Sequence, residues 1–204
     1  MPLVTFEGIE GSGKSTQARR AAELCRARGR DVVLEREPGG TRIGVRLREV
    51  LLDPASRGLD PFSELLLMEA DRRQHVAEIL EPALARGILV LCDRFNDATF
   101  AYQGGGRGLP ADVVSAIDGW AVRGLRPDRT LLFDCPVELG LARARRRDGE
   151  ATPRFEAEDA AFHERVRRTY LEIARRDPAR VKVIDTTRPP DAVFADVAAQ
   201  LEGF

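Results

Sequence analysis

Gly8-Ile9-Glu10-Gly11-Ser12-Gly13-Lys14-Ser15-Thr16 lies between the apolar run Leu3-Val4-Thr5-Phe6 and a helical stretch from Gln17 to Arg28, and its reading decides the fold. Its first eight residues fit G-x-x-x-x-G-K-[ST]. In such a loop, glycines let backbone N–H groups face phosphate oxygens at the positive end of the following helix. Only two of the chain's 32 basic residues are lysines, and Lys14 is one of them. In this loop a lysine bridges β- and γ-phosphates, and the next hydroxyl, here Ser15, ligates Mg²⁺. A tight turn carrying a chance lysine is the competing account. The order strand, turn, lysine, helix favours a nucleoside triphosphate held by residues 8 to 16.

Composition sets the frame around this loop. A chain of 204 residues is long enough for one α/β domain, and its net charge of −1 argues against a general polyanion binder. Cys25, Cys92 and Cys135 are odd in number and widely spaced, with no C-x-x-C pair, and read as lone buried thiols. The start of the chain runs directly into a strand, no secretory leader is evident, and no apolar run approaches spanning length. Cytoplasmic location and no membrane partner are the expectations.

Short apolar runs at Leu3–Phe6, Val32–Leu34, Ile88–Cys92, Thr130–Phe133 and Val181–Ile184 read as strands buried on both faces. Helical stretches alternate with them near Gln17–Arg28, Ile43–Leu52, Phe62–Arg86, Ala111–Arg123, Val137–Arg147, Glu158–Arg176 and Pro190–Leu201. The pattern predicts an α/β fold of the P-loop NTPase kind, a single domain over residues 1–204. Its five-stranded parallel sheet is covered by helices on both faces, with ligands at the carboxyl ends of the strands. Asp93 closes the third apolar run, where a carboxylate orients Mg²⁺ directly or through water; a turn-capping aspartate is the bland alternative. Arg94 follows, and a guanidinium there can bind phosphate in bidentate fashion or form an ordinary ion pair.

Three loops narrow the chemistry. They are Arg36-Glu37-Pro38-Gly39-Gly40-Thr41, Asp93-Arg94-Phe95, and Ala101-Tyr102-Gln103-Gly104-Gly105-Gly106-Arg107-Gly108. With Phe6-Glu7-Gly8-Ile9-Glu10, they resemble the bacterial thymidylate kinase family over nearly the whole chain, in the family's order and with similar spacing. The resemblance implies transfer of the ATP γ-phosphoryl to dTMP, with Mg²⁺, in a homodimer. By that resemblance Arg94 contacts the acceptor phosphate, Glu10 meets the sugar 3′-hydroxyl, and Tyr102 packs near the sugar and disfavours a 2′-hydroxyl. Gln103 lies near the base, Arg72 hydrogen-bonds the thymine edge, and Pro38 belongs to the acceptor pocket. The family often stacks an aromatic on the base four residues before that arginine, and Met68 stands there instead. One helical turn still brings residues 68 and 72 to the same face, where a thioether can pack against a ring. Ala98 replaces the serine usual after the Asp-Arg pair.

Arg143-Ala144-Arg145-Arg146-Arg147 followed by the Gly/Pro segment to Glu156 has the layout of a small mobile lid, approximately residues 143–156. The family supplies an arginine to the transferring phosphate either from the P-loop or from the lid. Ser12 and Gly13 precede Lys14, so the resemblance assigns the task to the lid, with Arg154 first and Arg147 second. Other readings remain: a kinase for another pyrimidine monophosphate, or a nucleic-acid-stimulated P-loop ATPase. The arginines are scattered among acids rather than gathered in a basic domain, so no nucleic-acid partner is expected. A GTPase would carry N-K-x-D, which neither lysine supplies.

Overall fold

The computed structural model describes residues 2–148 and 154–204. Residues 149–153, the middle of the expected lid, lie outside the described residues. Strands β1 (Leu3–Glu7), β2 (Val32–Arg36), β3 (Leu89–Asp93), β4 (Arg129–Asp134) and β5 (Val181–Asp185) form one parallel sheet in the order β2-β3-β1-β4-β5. Central β1 is buried along its length, polar Thr5 and Glu7 included. Edge strands β2 and β5 are only partly covered, and Val183 is 51% exposed. The expectation of strands buried on both faces therefore holds for the interior of the sheet and not for its edges.

Side-chain alternation along β1 sorts its residues between two layers. Val4 and Phe6 join the core packed with α1 (Lys14–Ala27) and α9 (Pro190–Gln200). Leu3, Thr5 and Glu7 point to the opposite layer. That layer contains α3 (Pro61–His75), a π-turn at Val76–Leu80, α4 (Glu81–Ala85), α6 (Ala111–Val122) and α8 (Ala160–Arg176). Thr5 Oγ1 meets Thr130 Oγ1 at 2.8 Å, which satisfies one polar intrusion. Glu7, fully buried, belongs to the same inward row and becomes part of the site.

The remaining helices are α2 (Arg42–Leu52), α5 (Asn96–Thr99) and α7 (Val137–Asp148). Thr41 caps α2 by accepting from the Gly44 amide at 2.9 Å. The stretch Phe100–Gly106, which its glycines mark as a loop in the sequence, is a π-helical continuation of α5. Gly105 and Gly106 serve packing rather than turning. A Cβ on Gly105 would strike Thr169, and one on Gly106 would come within 2.6 Å of the Phe162 ring. Helical backbone thereby lies flush against α8. The three cysteines are free and buried. No helix among the described residues is long and apolar enough to cross a membrane.

Candidate active site

Where β1 ends, residues 8–13 turn the chain into α1 with a backbone that side chains would obstruct. Gly8, Gly11 and Gly13 have φ of 140°, 68° and 93°. A Cβ on Gly8 would run into the Phe133 carbonyl, and one on Gly11 into the carbonyl of Gly140 in α7. From the other side, a Cβ on Gly140 would sit 2.7 Å from the Glu10 carbonyl oxygen. Gly11 and Gly140 therefore seat the arginine-bearing helix directly on the loop. Gly13 caps α1 in a left-handed conformation without a side-chain hydrogen bond, and the bare helix start faces the cleft.

The cleft encloses about 830 Å³, within the range of small-molecule sites. Gly11, Gly13, Lys14, Ser15 and Thr16 line it from the P-loop, and Pro38, Met68, Arg72, Tyr102 and Gln103 from the segments that follow β2 and β3. Asp93 and Arg94 line it too. Ile9 instead buries its side chain in the core, and Gly8 and Ser12 contribute backbone shape behind the cleft. Burial pushes the Lys14 ammonium down to about 8, with Arg94 adding to the fall and Asp93, Glu10 and Glu7 opposing it. Burial, with Arg36 and Arg94, likewise lowers Arg48, another arginine of the cleft wall. Cations crowded in this way call for anions.

Asp93 fits a hard cation. Its Oδ1 is buried without a hydrogen-bond partner among the described residues, and Ser15 shares the cleft. Glu37, His75 and Cys92 also bring ligand-type atoms within 4.8 Å of one another. Arg72 and His75 already occupy the two Glu37 oxygens, however, and Cys92 Sγ bonds the Arg94 carbonyl.

Arg94 is the centre of the acceptor end. Its backbone is left-handed, with φ of 73°, a conformation that a non-glycine residue keeps only where its surroundings enforce it. Nη2 donates to Glu10 Oε1 at 2.8 Å and to the Tyr102 hydroxyl at 2.9 Å. The Tyr102 hydroxyl in turn donates to Glu10 at 2.6 Å. Burial raises the Glu10 carboxyl, but Arg94, His163 and Lys14 outweigh it and hold Glu10 well below the usual carboxylate range. Nη1 reaches the Tyr170 hydroxyl at 3.2 Å. Tyr170, Glu7 and His163, whose Nδ1 lies 3.3 Å from Glu10 Oε2, escape the sequence reading. The inward parity of Glu7 along β1 is the one signal that could have found any of them.

Arg72 is 3% exposed and almost fully committed. Nε donates to Glu37 at 2.8 Å, Nη1 to Glu69 and to Thr99 at 2.6 Å, and Nη2 to the Phe95 carbonyl at 3.0 Å. Burial works against its charge, but Glu69, Glu37 and Asp118 prevail and raise it. These bonds leave one Nη2 proton for the cleft. Gln103 donates to Glu64 at 2.8 Å.

The two lid arginines part company. Arg154 is 4% exposed and lies outside the cleft lining, with Nε on the Leu51 carbonyl at 2.8 Å and Nη2 on Glu64 at 2.6 Å. Arg143 and Arg147 do line the cleft, and Arg147 pairs with Glu156 at 2.7 Å. In this arrangement Arg143, bonded to the Thr186 carbonyl, and Arg147 of α7 belong to the cleft lining and Arg154 does not.

A parallel sheet with a P-loop at the carboxyl end of β1, a metal-ready carboxylate on β3 and a second, polar bay across the cleft define a P-loop nucleotide kinase. The sequence profile of the thymidylate kinase family matches residues 6–197, and the chain belongs to that family. It is 50% identical over 201 residues to the thymidylate kinase of Pseudomonas putida (strain GB-1), covering 98% of this chain and 95% of that one. It is 49% identical to that of Trichlorobacter lovleyi, covering 96% and 94%. The crystal structure of the Ehrlichia chaffeensis thymidylate kinase superposes with a TM-score of 0.80 at 35% identity, covering 98% of both chains.

Proposed function

We propose that this single domain transfers the γ-phosphoryl group of ATP to dTMP, giving dTDP and ADP, and works as a cytoplasmic homodimer without nucleic-acid or membrane partners. The carrying observation is the single cleft that joins the P-loop cation Lys14 to Asp93 and Arg94 at the end of β3 and to a bay lined by Met68, Arg72, Tyr102 and Gln103. The acceptor phosphate is ionised at neutral pH, so the reaction needs positioning and charge neutralisation rather than a strong base. Bound Mg²⁺, held by Ser15 and Asp93, would neutralise charge on the donor phosphates. Residues 8–16 cradle the donor, and Lys14 contacts its β- and γ-oxygens. Arg94 takes the acceptor phosphate, Glu10 the sugar 3′-hydroxyl, and Tyr102 closes the sugar's 2′ side. Arg72 uses its remaining proton on the base edge, Met68 and Pro38 flank the ring, and Gln103 stands beside it.

The lid, residues 143–156, supplies the arginine for the transferring phosphate. Arg147 already lines the cleft and would exchange Glu156 for phosphate. Arg154 would first exchange Glu64 and the Leu51 carbonyl for phosphate. A coupled assay with ATP against each nucleoside monophosphate, with and without DNA, tests the function. Turnover with dTMP far above the other acceptors, unchanged by DNA, is expected. Preference for another pyrimidine monophosphate, or DNA-dependent hydrolysis without transfer, would replace this reading.

A further inference from the structure

Tyr170 lies on α8, 76 residues from Arg94 in sequence, and nothing in the phosphoryl-transfer chemistry calls for it. Its ring is 2% exposed and packs edge-on against Tyr102 with centroids 6.3 Å apart. Its hydroxyl uses both of its functions. It donates to Glu7 Oε2 at 2.7 Å and accepts from Arg94 Nη1 at 3.2 Å. The other Glu7 oxygen accepts the Phe95 amide at 2.7 Å. One buried carboxylate therefore grips the peptide immediately after the left-handed Arg94 backbone and, through Tyr170, the tip of the Arg94 side chain. The Phe95 amide orients the Glu7 carboxyl, and Glu7 in its ionised form only accepts, which leaves the phenol's lone pairs for the guanidinium.

The two ends of the guanidinium then have different fates. Nη2 rests on Glu10 and Tyr102, the groups assigned above to the acceptor sugar, and must change partners when the acceptor arrives. Nη1 rests on Tyr170, which is not among the residues that line the cleft. We propose that Tyr170, oriented by Glu7, is a positioning residue that holds Arg94 by Nη1 while Nη2 passes from Glu10 to the acceptor's phosphate. The proposal rests on the reading that Arg94 receives that phosphate. Without this hold, the guanidinium would follow Glu10 and Tyr102 or swing free, and a left-handed backbone would be spent on a loosely aimed side chain.

The test uses a ligand pair that differs only in the phosphate: dTMP and thymidine, titrated by calorimetry into the intact protein. Tyr170→Phe keeps the ring and removes the hydroxyl. It is expected to weaken dTMP about ten-fold, the scale of one hydrogen bond to a charged group, and thymidine less than about two-fold. In steady state its KM for dTMP rises while its KM for ATP stays put. Glu7→Gln, which keeps size but presents an N–H to the phenol, should reproduce the loss of preference and guards against a fault peculiar to the Phe variant. Equal weakening of both ligands, or of neither, overturns the proposal, since a merely structural tyrosine would not single out the phosphate. Arg94→Lys separates the two layers of inference. If it too leaves the preference for dTMP over thymidine intact, the Arg94 reading falls and takes the proposal with it. If it abolishes the preference while Tyr170→Phe does not, the proposal alone falls.

Discussion

Single side chains in this cleft carry charges that burial opposes. Lys14 is the sharpest case, an ammonium lowered to about 8 by burial and by Arg94, a fall that nearby phosphate oxygens would oppose. Lys14→Ala should leave the circular dichroism spectrum unchanged and lower kcat for dTMP phosphorylation by about 10²–10³-fold, the scale of losing one preorganised charge contact. Near-normal turnover would remove Lys14 from the mechanism. His75 makes a second, separable prediction. Burial works against its proton, but Glu35 and Glu37 hold it and raise its value to about 9 from 6.5. A raised histidine contributes stability that is complete below its unfolded value near 6.5 and is lost as pH climbs through 9. Urea unfolding of the wild type should therefore show about 1–3 kcal/mol less stability at pH 9 than at pH 6.5 from this source. Glu7, raised to about 8 by burial and Asp97, titrates in the same window, so the meaningful quantity is the difference from His75→Gln. Parallel pH slopes in the two proteins would sink the assignment.

At the scale of elements, the lid is decided by which helix end carries the working arginine. α7 packs on the P-loop through Gly11 and Gly140, and Arg147, two turns further along it, lines the cleft while paired with Glu156. Arg154 is buried against Glu64. Arg147→Ala is expected to lower kcat by at least about 10²-fold with little change in the KM for dTMP, as a contact made in the transition state should. Arg154→Ala should instead lower the urea midpoint, because it strips one partner from a buried carboxylate, while kcat falls less than in Arg147→Ala. The reverse order of kcat losses would show that Arg154 leaves Glu64 during turnover.

The same elements show what the sequence could and could not disclose. The strand–loop–helix around Lys14 and the carboxylate at the end of β3 are local patterns, and both stand where their spacing put them. Tyr102 and Gln103 were legible as site residues through resemblance, but their backbone was not. Gly104-Gly105-Gly106 signals a turn, whereas Gly105 and Gly106 exist to admit Thr169 and Phe162 of α8. Tyr170 and Glu7 were invisible for a different reason. They are 163 residues apart, each sits in an ordinary strand or helix, and only packing α8 onto the inward face of β1 makes them a pair.

For the molecule as a whole, the outer surface bears apolar groups that a free chain of this size has no need to display. On α3, Phe62 and Leu66 are 41% and 47% exposed and stand one helical turn apart, with exposed Ala70 a turn beyond. On α6, packed beside α3 in the same layer, Trp120 is 84% exposed and is the chain's only tryptophan. A contact surface between chains carries apolar groups of this kind, and a second copy meeting these through the same residues would make a closed pair. If the proposed homodimer closes through this face of α3 and α6, the single tryptophan becomes a built-in reporter. Wild-type protein at micromolar concentration should sediment at twice the 22.6 kDa chain mass, with Trp120 emission shifted to the blue and shielded from quencher. Leu66→Glu places a charge among these apolar groups, where burial without a partner is costly. It should sediment at the single-chain mass with red-shifted, quenchable emission and unaltered circular dichroism. Its pocket residues are untouched, so any loss of activity would report how far α3, which carries Met68 and Arg72 on its inner face, depends on the partner for its position. A wild-type monomer at micromolar concentration, or a Leu66→Glu protein that still pairs with Trp120 shielded, would rule out this face as the interface.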